Sequence, residues 1–172
     1  MATGDSLFVL LPLNSIPSAP LYATLDVIAD GSTPVMHTPV LDFDGSQDEH
    51  SEWVALLPSH YSGDTGLTFS YKFAMSGTDG SDVQMEFRVL PITDGLLLTS
   101  DMGMDGQTKA DLTATPDAAA NEVKTSGTVA LAKASFGSAA AGSYIRIRAS
   151  RDYNHAANTD DLQLLSILVT ET

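Results

Sequence analysis

The side chains that could do chemistry in this chain are histidines and acids, and they lie in separate short groups. His50 and Glu52 are two positions apart, a spacing that places both on one face of a strand, as two ligands of a zinc site would be. No third ligand follows at a comparable spacing, so the pattern favours a surface histidine beside a glutamate. The chain has no cysteine, which excludes thiolate zinc sites, thiol catalysis and disulfide bonds.

Acidic loops are the other candidate sites, and calcium is the ion that their oxygens would bind. Asp101 and Asp105 occupy the first and fifth positions of a loop with EF-hand-like spacing. The twelfth position, which needs a bidentate glutamate, is Leu112, and no flanking helices are expected. Further acidic clusters lie at 42–49 and 152–161. Each of the three clusters is interpreted as a solvated turn, and calcium binding stays open.

Sequence patterns for catalysis are absent. The chain has neither a Gly-x-Ser-x-Gly nucleophile elbow nor a phosphate-binding glycine loop. A carboxylate pair for glycoside hydrolysis needs a defined separation in a cleft, which the sequence does not show. We therefore predict no catalytic residue, no metal ligand and no cofactor, and a protein that is not an enzyme.

The composition restricts the classes of partner. The 172 residues include 22 acidic and 8 basic side chains, for a net charge of −14, and 43% are hydrophobic. This length and apolar content fit one folded domain with its own core. The negative charge argues against nucleic acid and against an anionic membrane surface, because both would repel the chain. The first basic residue is Lys72, so residues 1–71 carry no positive side chain.

An apolar run near the N-terminus is the clearest candidate for a contact with another chain. Asp5 precedes the run where a secretory signal needs positive charge, Pro12 interrupts it, and it is far shorter than the roughly 20 residues that span a bilayer. It is either a buried strand or an apolar arm that docks on another chain. Five of the eight prolines lie in residues 1–39, which favours an extended arm over 1–35. The predicted contact residues are Leu7, Phe8, Val9, Leu10, Leu11 and Leu13.

The rest of the chain reads as short strands separated by polar turns. Residues 67–75 and 83–89 alternate apolar and polar side chains with a period of two, which predicts two adjacent half-buried strands. Further strands are predicted at 144–148, 162–169, 22–29, 37–43, 50–57 and 122–131. We expect an all-β antiparallel β-sandwich, jelly-roll-like, in a single domain over 36–172. A helical turn is predicted at 115–122, and an acidic surface excursion at 93–117.

Aromatic residues bear on sugar binding, because flat rings stack on sugar faces. Trp53 is the only tryptophan and is surrounded by aliphatic residues, which is typical of a core position. Tyr61, Tyr144 and Tyr153 lie apart in the sequence. A sugar site built from these tyrosines stays open.

Several short motifs together resemble the pattern of one known protein family. Leu-Asp-Phe-Asp at 41–44 is followed by Glu49, Trp53, Leu-Pro at 57–58 and Tyr61. Toward the C-terminus, the matching features are Gly142, Arg-Asp at 151–152 and Asn-Thr-Asp-Asp-Leu at 158–162. The likeness covers roughly residues 40–172, and it is to the capsid decoration (cement) proteins of tailed phages. One departure is at 159–160, where this chain has Thr-Asp and the family has an Asp-Thr pair. An ion site in that loop of the family is therefore not assigned to this chain.

The resemblance implies a β-sandwich or jelly roll that assembles as a homotrimer on the outer surface of a phage capsid. The expected partners are the major capsid protein and the chain itself, without nucleic acid or membrane. Our first hypothesis is a virion structural protein that stabilises the shell by binding across capsid-protein junctions. The second is a tail-tip or fibre-associated jelly roll that binds host glycans.

Overall fold

The structure is a computed structural model that describes residues 4–17, 20–94, 103–137, 139–155 and 157–172. These residues form two antiparallel sheets packed face to face, which confirms the predicted all-β sandwich. The described part of the chain contains no helix long and apolar enough to cross a bilayer.

Twelve strands and three short 3₁₀ helices make up the described fold. The strands are β1 (Ser6–Leu10), β2 (Ile16–Pro17), β3 (Thr24–Ala29), β4 (His37–Phe43), β5 (His50–Leu56), β6 (Gly66–Met75), β7 (Val83–Ile92), β8 (Lys109–Ala114), β9 (Lys124–Thr125), β10 (Val129–Ala132), β11 (Tyr144–Arg151) and β12 (Leu162–Glu171). The 3₁₀ helices are Pro12–Asn14, Met104–Gly106 and Lys133–Phe136.

The first sheet has the order β10-β6-β12-β4-β3, and β1 and β9 pair with β12 and β6 respectively. The second sheet has the order β2-β5-β11-β7-β8. Because β10 contacts β8, the edge strands β3 and β2 lie together at the opposite side of the sandwich. Strands of the predicted arm at 1–35 therefore belong to both sheets: β1 and β3 to the first, and β2 to the second.

The core lies between the sheets and is filled by the apolar faces that the period of two predicted. The rings of Phe69 on β6 and Phe87 on β7 stack with centroids 4.9 Å apart. This contact crosses from one sheet to the other, so the prediction that these two strands are sheet neighbours is wrong. Alternation identifies the buried face of a strand but not its partner, and the connection at 76–82 is long enough to cross between layers.

Two local predictions between residues 93 and 122 are also wrong. Lys109–Ala114 is not a surface excursion, because Ala110, Leu112 and Ala114 face the core and β8 pairs with β7. Residues 95–102 lie outside the described residues. No helical turn forms at 115–122, where the chain makes a non-helical turn with Asn121 at a φ of 61°.

Candidate functional site

The six predicted contact residues at the N-terminus divide into a buried and an exposed set. Leu10 is buried, and Leu7 and Phe8 pack against the core from β1. Val9, Leu11 and Leu13 are 51%, 45% and 66% exposed. One set of side chains therefore anchors the strand to the core, and the other set faces outward, while docking on another chain stays a prediction.

Exposed apolar side chains are concentrated in the same part of the chain. Among the described residues, ten of the fifteen exposed large hydrophobic side chains lie between residues 9 and 36. We call them the apolar N-terminal surface, and they are Val9, Leu11, Leu13, Ile16, Leu21, Tyr22, Leu25, Val27, Val35 and Met36. Single exposed apolar residues are normal on soluble proteins, whereas contiguous apolar patches are typical of interaction sites.

A shallow groove joins part of this surface at the β2 and β3 side of the sandwich. The groove has a volume of about 280 Å³ and is lined by Leu13, Tyr22 and Leu25 among others. Leu25 and Val27 share a face of β3 because they are two residues apart. Strand β3 ends the order of the first sheet, so this face extends past the core, and none of the other described strands covers it.

The hairpin of β3 and β4 is held in shape by its turn. Asp30 Oδ1 accepts hydrogen bonds from the amides of Met36 (3.0 Å) and Ser32 (3.2 Å), and Oδ2 accepts one from the Ser32 hydroxyl (2.8 Å). These bonds, that from Met36 foremost, lower the pKa of Asp30. The turn presents Val35 and Met36 to solvent, so apolar exposure here is a feature of an ordered hairpin.

The outer face of the second sheet is charged and concave. It holds a cleft of about 440 Å³, which we call the charged cleft, lined by Asp48, His50, Glu86, Arg88, Asp105, Arg148, Ser150, Arg151, Asp152 and Asn154. Strands β5, β7 and β11 supply its floor, because their outward residues fall in register across the sheet. Arg148 stands directly opposite Glu52 on one side and Arg88 on the other.

Ion pairs connect the charged groups at the centre of this face. Arg148 donates to Glu52 Oε1 from Nε at 2.8 Å and approaches it with Nη2 at 2.7 Å, while its Nη1 pairs with Asp105. Arg88 pairs with Glu86 at 3.0 Å, and Glu86 also accepts from Lys109. Burial, and next the nearby Arg148, lower the pKa of His50.

Arg151 organises the loops at one end of the cleft. Its side chain is among the largest fully buried ones, with 1% exposure. The guanidinium donates to the carbonyl oxygens of Phe43 (3.0 Å), Asp160 (2.7 Å) and Asn158 (2.9 Å). The motifs at 41–44 and 158–162, far apart in sequence, are thus joined through one side chain, and their role here is structural.

Asp42 is the most perturbed acid near these loops. Burial, followed by the charge of Asp161, raises its pKa to about 6. Gln163 stands opposite Asp42 in the sheet, and Asp42 Oδ1 and Gln163 Oε1 are both buried without a hydrogen-bond partner among the described residues. A proton on Asp42 would relieve the charge of this carboxylate.

The acidic residues considered as metal ligands from the sequence take part in other interactions. Glu52 is engaged by Arg148 and Arg146, so its carboxylate is not held beside His50 for a metal. Within the part of the chain that the structure describes, no three His, Asp or Glu side chains are grouped to hold a metal ion. Asp105 pairs with Arg148, and Asp101, the other acid of the EF-hand-like spacing, lies outside the described residues.

The aromatic residues do not form one sugar-binding platform. Trp53 is buried, as predicted, and its Nε1 donates to the carbonyl oxygen of Leu11 at 3.0 Å. Tyr61 is buried beneath Lys133, whose Nζ is 5.5 Å from the ring centroid. Tyr144 and Tyr153 are exposed, but they stand at opposite ends of β11, roughly 20 Å or more apart at 3.3 Å per residue.

Comparison with known proteins does not assign a family. No family model matches the sequence, and no curated protein matches it either. Among solved structures, the chain is similar to the mosquito-larvicidal Cry4Aa toxin of Bacillus thuringiensis at 12% identity and a TM-score of 0.47, over 95% of this chain and 23% of the toxin. The chain thus spans about a quarter of the toxin's length.

Two other similar structures match the chain over nearly its whole length. One is a carbohydrate-binding module that recognises mannan, at 11% identity and a TM-score of 0.46, over 99% of this chain and all of the module. The other is a carbohydrate esterase of the Shiga toxin-encoding bacteriophage phi24B, at 14% identity and a TM-score of 0.45, over 98% and 99% of the two chains. Likenesses at these scores do not assign a function to this chain.

Proposed function

We propose that the chain is a non-enzymatic structural protein of a phage virion, which decorates the outer surface of the capsid as a homotrimer and binds across junctions of the major capsid protein. The motif resemblance supplies the class of protein. The observation that carries the proposal is the apolar N-terminal surface, which the fold leaves uncovered beside an ordered hairpin.

Charge and burial both favour this surface as the interface. Copies of a chain with a net charge of −14 repel each other, so association must use a region with few charges. Residues 9–36 contain only two, Asp26 and Asp30. Covering a side chain that is about half exposed contributes on the order of 1 kcal/mol, so several together offset the entropic cost of association.

The exposed side chains of the N-terminal run are the ones that would face the partner in this interface. Val9, Leu11 and Leu13 would contact the shell or a neighbouring subunit, while Leu10 keeps the strand attached to its own core. Threefold symmetry would present this surface three times from one small chain. Each additional contact favours the intact shell, because the bound protein stabilises only the assembled state.

Binding to capsids tests the proposal. Purified chain is added to capsids that lack it, from the phage that encodes it, and co-sedimentation is measured. We expect saturable binding by the wild type and a loss of roughly tenfold or more in affinity for the triple variant Leu13→Ser, Leu25→Ser, Val27→Ser. The matched control is Val54→Ser, Leu56→Ser, Val123→Ser, which removes three exposed apolar side chains elsewhere.

Two outcomes would contradict the proposal. One is no co-sedimentation of the wild-type chain with capsids. The other is equal binding by the N-terminal variant and the wild type, with the same thermal unfolding midpoint for both. Electron microscopy that finds the chain on the tail instead of the shell would favour the glycan-binding tail domain.

A further inference from the structure

One patch on the outside of the first sheet is built without acidic side chains, although the chain has 22 acids. Because Phe69 and Tyr71 of β6 and Ile167 and Val169 of β12 face the core, the residues that alternate with them face outward. The pairing registers align these residues with those of β1, β9 and β10 in rows across the sheet. We call the patch the acid-free face, and it consists of Val9, Ser70, Lys72, Thr125, Ala130, Ser166 and Leu168. Six of these residues line a groove of about 220 Å³.

Lys72 is the one charged residue of the acid-free face, and its charge is unpaired. The other seven basic side chains of the chain each form an ion pair or donate a hydrogen bond. Among the described residues, Lys72 is exposed and does neither. In a chain with a net charge of −14, an exposed cation without an ion pair attracts an acidic partner. A second copy of the chain therefore meets the least repulsion where it approaches this face.

Threefold symmetry requires two different contact surfaces on each chain. Around a threefold axis, a surface of one copy covers a different surface of the next copy, which is a heterologous interface. The apolar N-terminal surface is one of the two in the proposed function, which leaves the second surface unnamed. That second surface has to accept an apolar neighbour whose charged residues within 9–36 are Asp26 and Asp30.

We propose that the acid-free face of each copy receives the apolar N-terminal surface of the next copy, an assignment that rests on the proposed function. The charges are complementary, because Lys72 would meet a surface whose two charged residues, Asp26 and Asp30, are both acids. Val9 is 51% exposed and belongs to both surfaces, so the two surfaces adjoin along β1. Adjoining surfaces do not lie on opposite sides of the chain, so successive contacts turn and can close into a ring instead of extending a filament.

The outer face of the second sheet suits this role less well. It also exposes apolar side chains, among them Val54, Leu56 and Tyr144. Arg146 lies opposite Val54, but it is already paired with Glu52 of its own chain. An acid of a second copy would therefore meet a neutralised cation there, whereas Lys72 is free to pair.

Mixing two variants that each lack one surface tests this arrangement by sedimentation equilibrium. The face variant is Lys72→Glu, Ala130→Glu, which places two acids at exposed positions of the acid-free face. The N-terminal variant is Leu13→Ser, Leu25→Ser, Val27→Ser. Each variant alone should associate at least about tenfold more weakly than the wild type. An equimolar mixture should form a complex of twice the 18.1 kDa chain mass, with a dissociation constant below about 1 mM, because each variant supplies the surface that the other lacks.

A matched control separates a lost contact from general repulsion between acidic copies. The control Thr108→Glu, Ala140→Glu, Ala141→Glu lowers the net charge by as much as the face variant does, at exposed positions outside both surfaces. It should keep the trimer. The face variant should keep the wild-type thermal unfolding midpoint, because neither replaced side chain is buried. Loss of the trimer in the control to the same extent as in the face variant would contradict the proposal.

The results also distinguish a failure of this assignment from a failure of the proposed function. A wild type that stays monomeric, or an N-terminal variant that still forms trimers, would overturn the proposed function and the assignment with it. A trimeric wild type with a monomeric N-terminal variant would support the proposed function. In that case, a face variant that still forms trimers, or a mixture that stays monomeric, would overturn the assignment alone.

Discussion

The charged cleft and the apolar N-terminal surface solve the problem of an exposed face in opposite ways. On the outer face of the second sheet, Arg148, Glu52 and Glu86 are held in ion pairs within the chain. Around β1 to β3, side chains such as Leu13 and Leu25 project into solvent with no covering layer. The charges of the first face are paired within the single chain, whereas the second face leaves its apolar side chains exposed among the described residues.

Under the proposed function, the apolar surface provides the association and the buried polar groups provide the stability. Changes on the polar side that reach a buried group should lower the free energy of unfolding and leave assembly unchanged. Substitutions in the apolar N-terminal surface that change only exposed side chains should weaken assembly and leave the free energy of unfolding unchanged. Four experiments test this contrast, and they are given in order of decreasing expected effect.

The largest loss of stability is expected for Arg151→Ala. It leaves the carbonyl oxygens of Phe43, Asn158 and Asp160 without their donor in a buried site, which costs about 3–4 kcal/mol. Urea denaturation measures the change. The control Lys124→Ala breaks an exposed ion pair with Asp117 and should cost about 0.5 kcal/mol or less. Equal effects in the two variants would contradict the role given to Arg151.

The N-terminal run should split into two classes by the same measurement. Leu10→Ala opens a cavity in the core and is expected to cost about 2–4 kcal/mol. Leu13→Ala changes a 66% exposed side chain and should stay within about 0.5 kcal/mol of the wild type. If Leu13→Ala destabilised the isolated chain as much as Leu10→Ala, the exposed set would be part of the core.

A pH-dependent effect is expected at Asp42. Its pKa is about 6 in the folded chain and 3.8 for the free group, so the folded state holds the proton more tightly. This contribution to stability is present below pH 3.8 and is lost as the pH rises through 6. Asp42→Asn should therefore raise the free energy of unfolding at pH 7 by about 1 kcal/mol, after allowance for solvent screening.

Denaturation at two pH values checks the sign of this effect. The gain from Asp42→Asn should shrink as the pH is lowered from 7 toward 4, where the wild-type carboxyl takes up its proton. A gain that grew with falling pH would contradict a raised pKa.

The smallest effect is expected from salt. Association through apolar side chains contains few ion pairs, and added salt screens the repulsion between acidic copies. Raising sodium chloride from about 0.05 to 0.5 M should therefore tighten self-association by a few-fold at most. Marked weakening by salt, measured by sedimentation, would place the interface on the charged face instead.

Most of the longer strands were predictable from sequence, but their partners were not. Alternation at 67–75 and 83–89 identified the buried faces, because the period of side chains along a strand is local information. The pairing of β6 with β12 and of β7 with β11 joins segments far apart in the chain. The alternation within a strand does not indicate which strand it pairs with. The strand at 109–114 escaped prediction because its buried side chains include two alanines, which give a weak apolar signal.

The two candidate surfaces also differ in how far the sequence could predict them. The N-terminal run was predictable from composition, since Leu7, Leu10 and Leu13 lie close together in the sequence. The charged cleft was not predictable, because Asp48, Arg88 and Arg148 come from distant segments that only the fold brings together. Each of these residues alone is an ordinary outward-facing polar residue of a strand or turn.

Sedimentation equilibrium of the purified chain is the most direct test of the central claim, that the apolar N-terminal surface is a protein interface. We predict that the wild type reaches three times the 18.1 kDa chain mass as concentration rises. The triple variant Leu13→Ser, Leu25→Ser, Val27→Ser should stay at the monomer mass with an unchanged unfolding midpoint, and the Val54, Leu56 and Val123 serine control should still form trimers. A trimer that persists in the N-terminal variant, or a wild type that stays monomeric at all concentrations, would contradict the account.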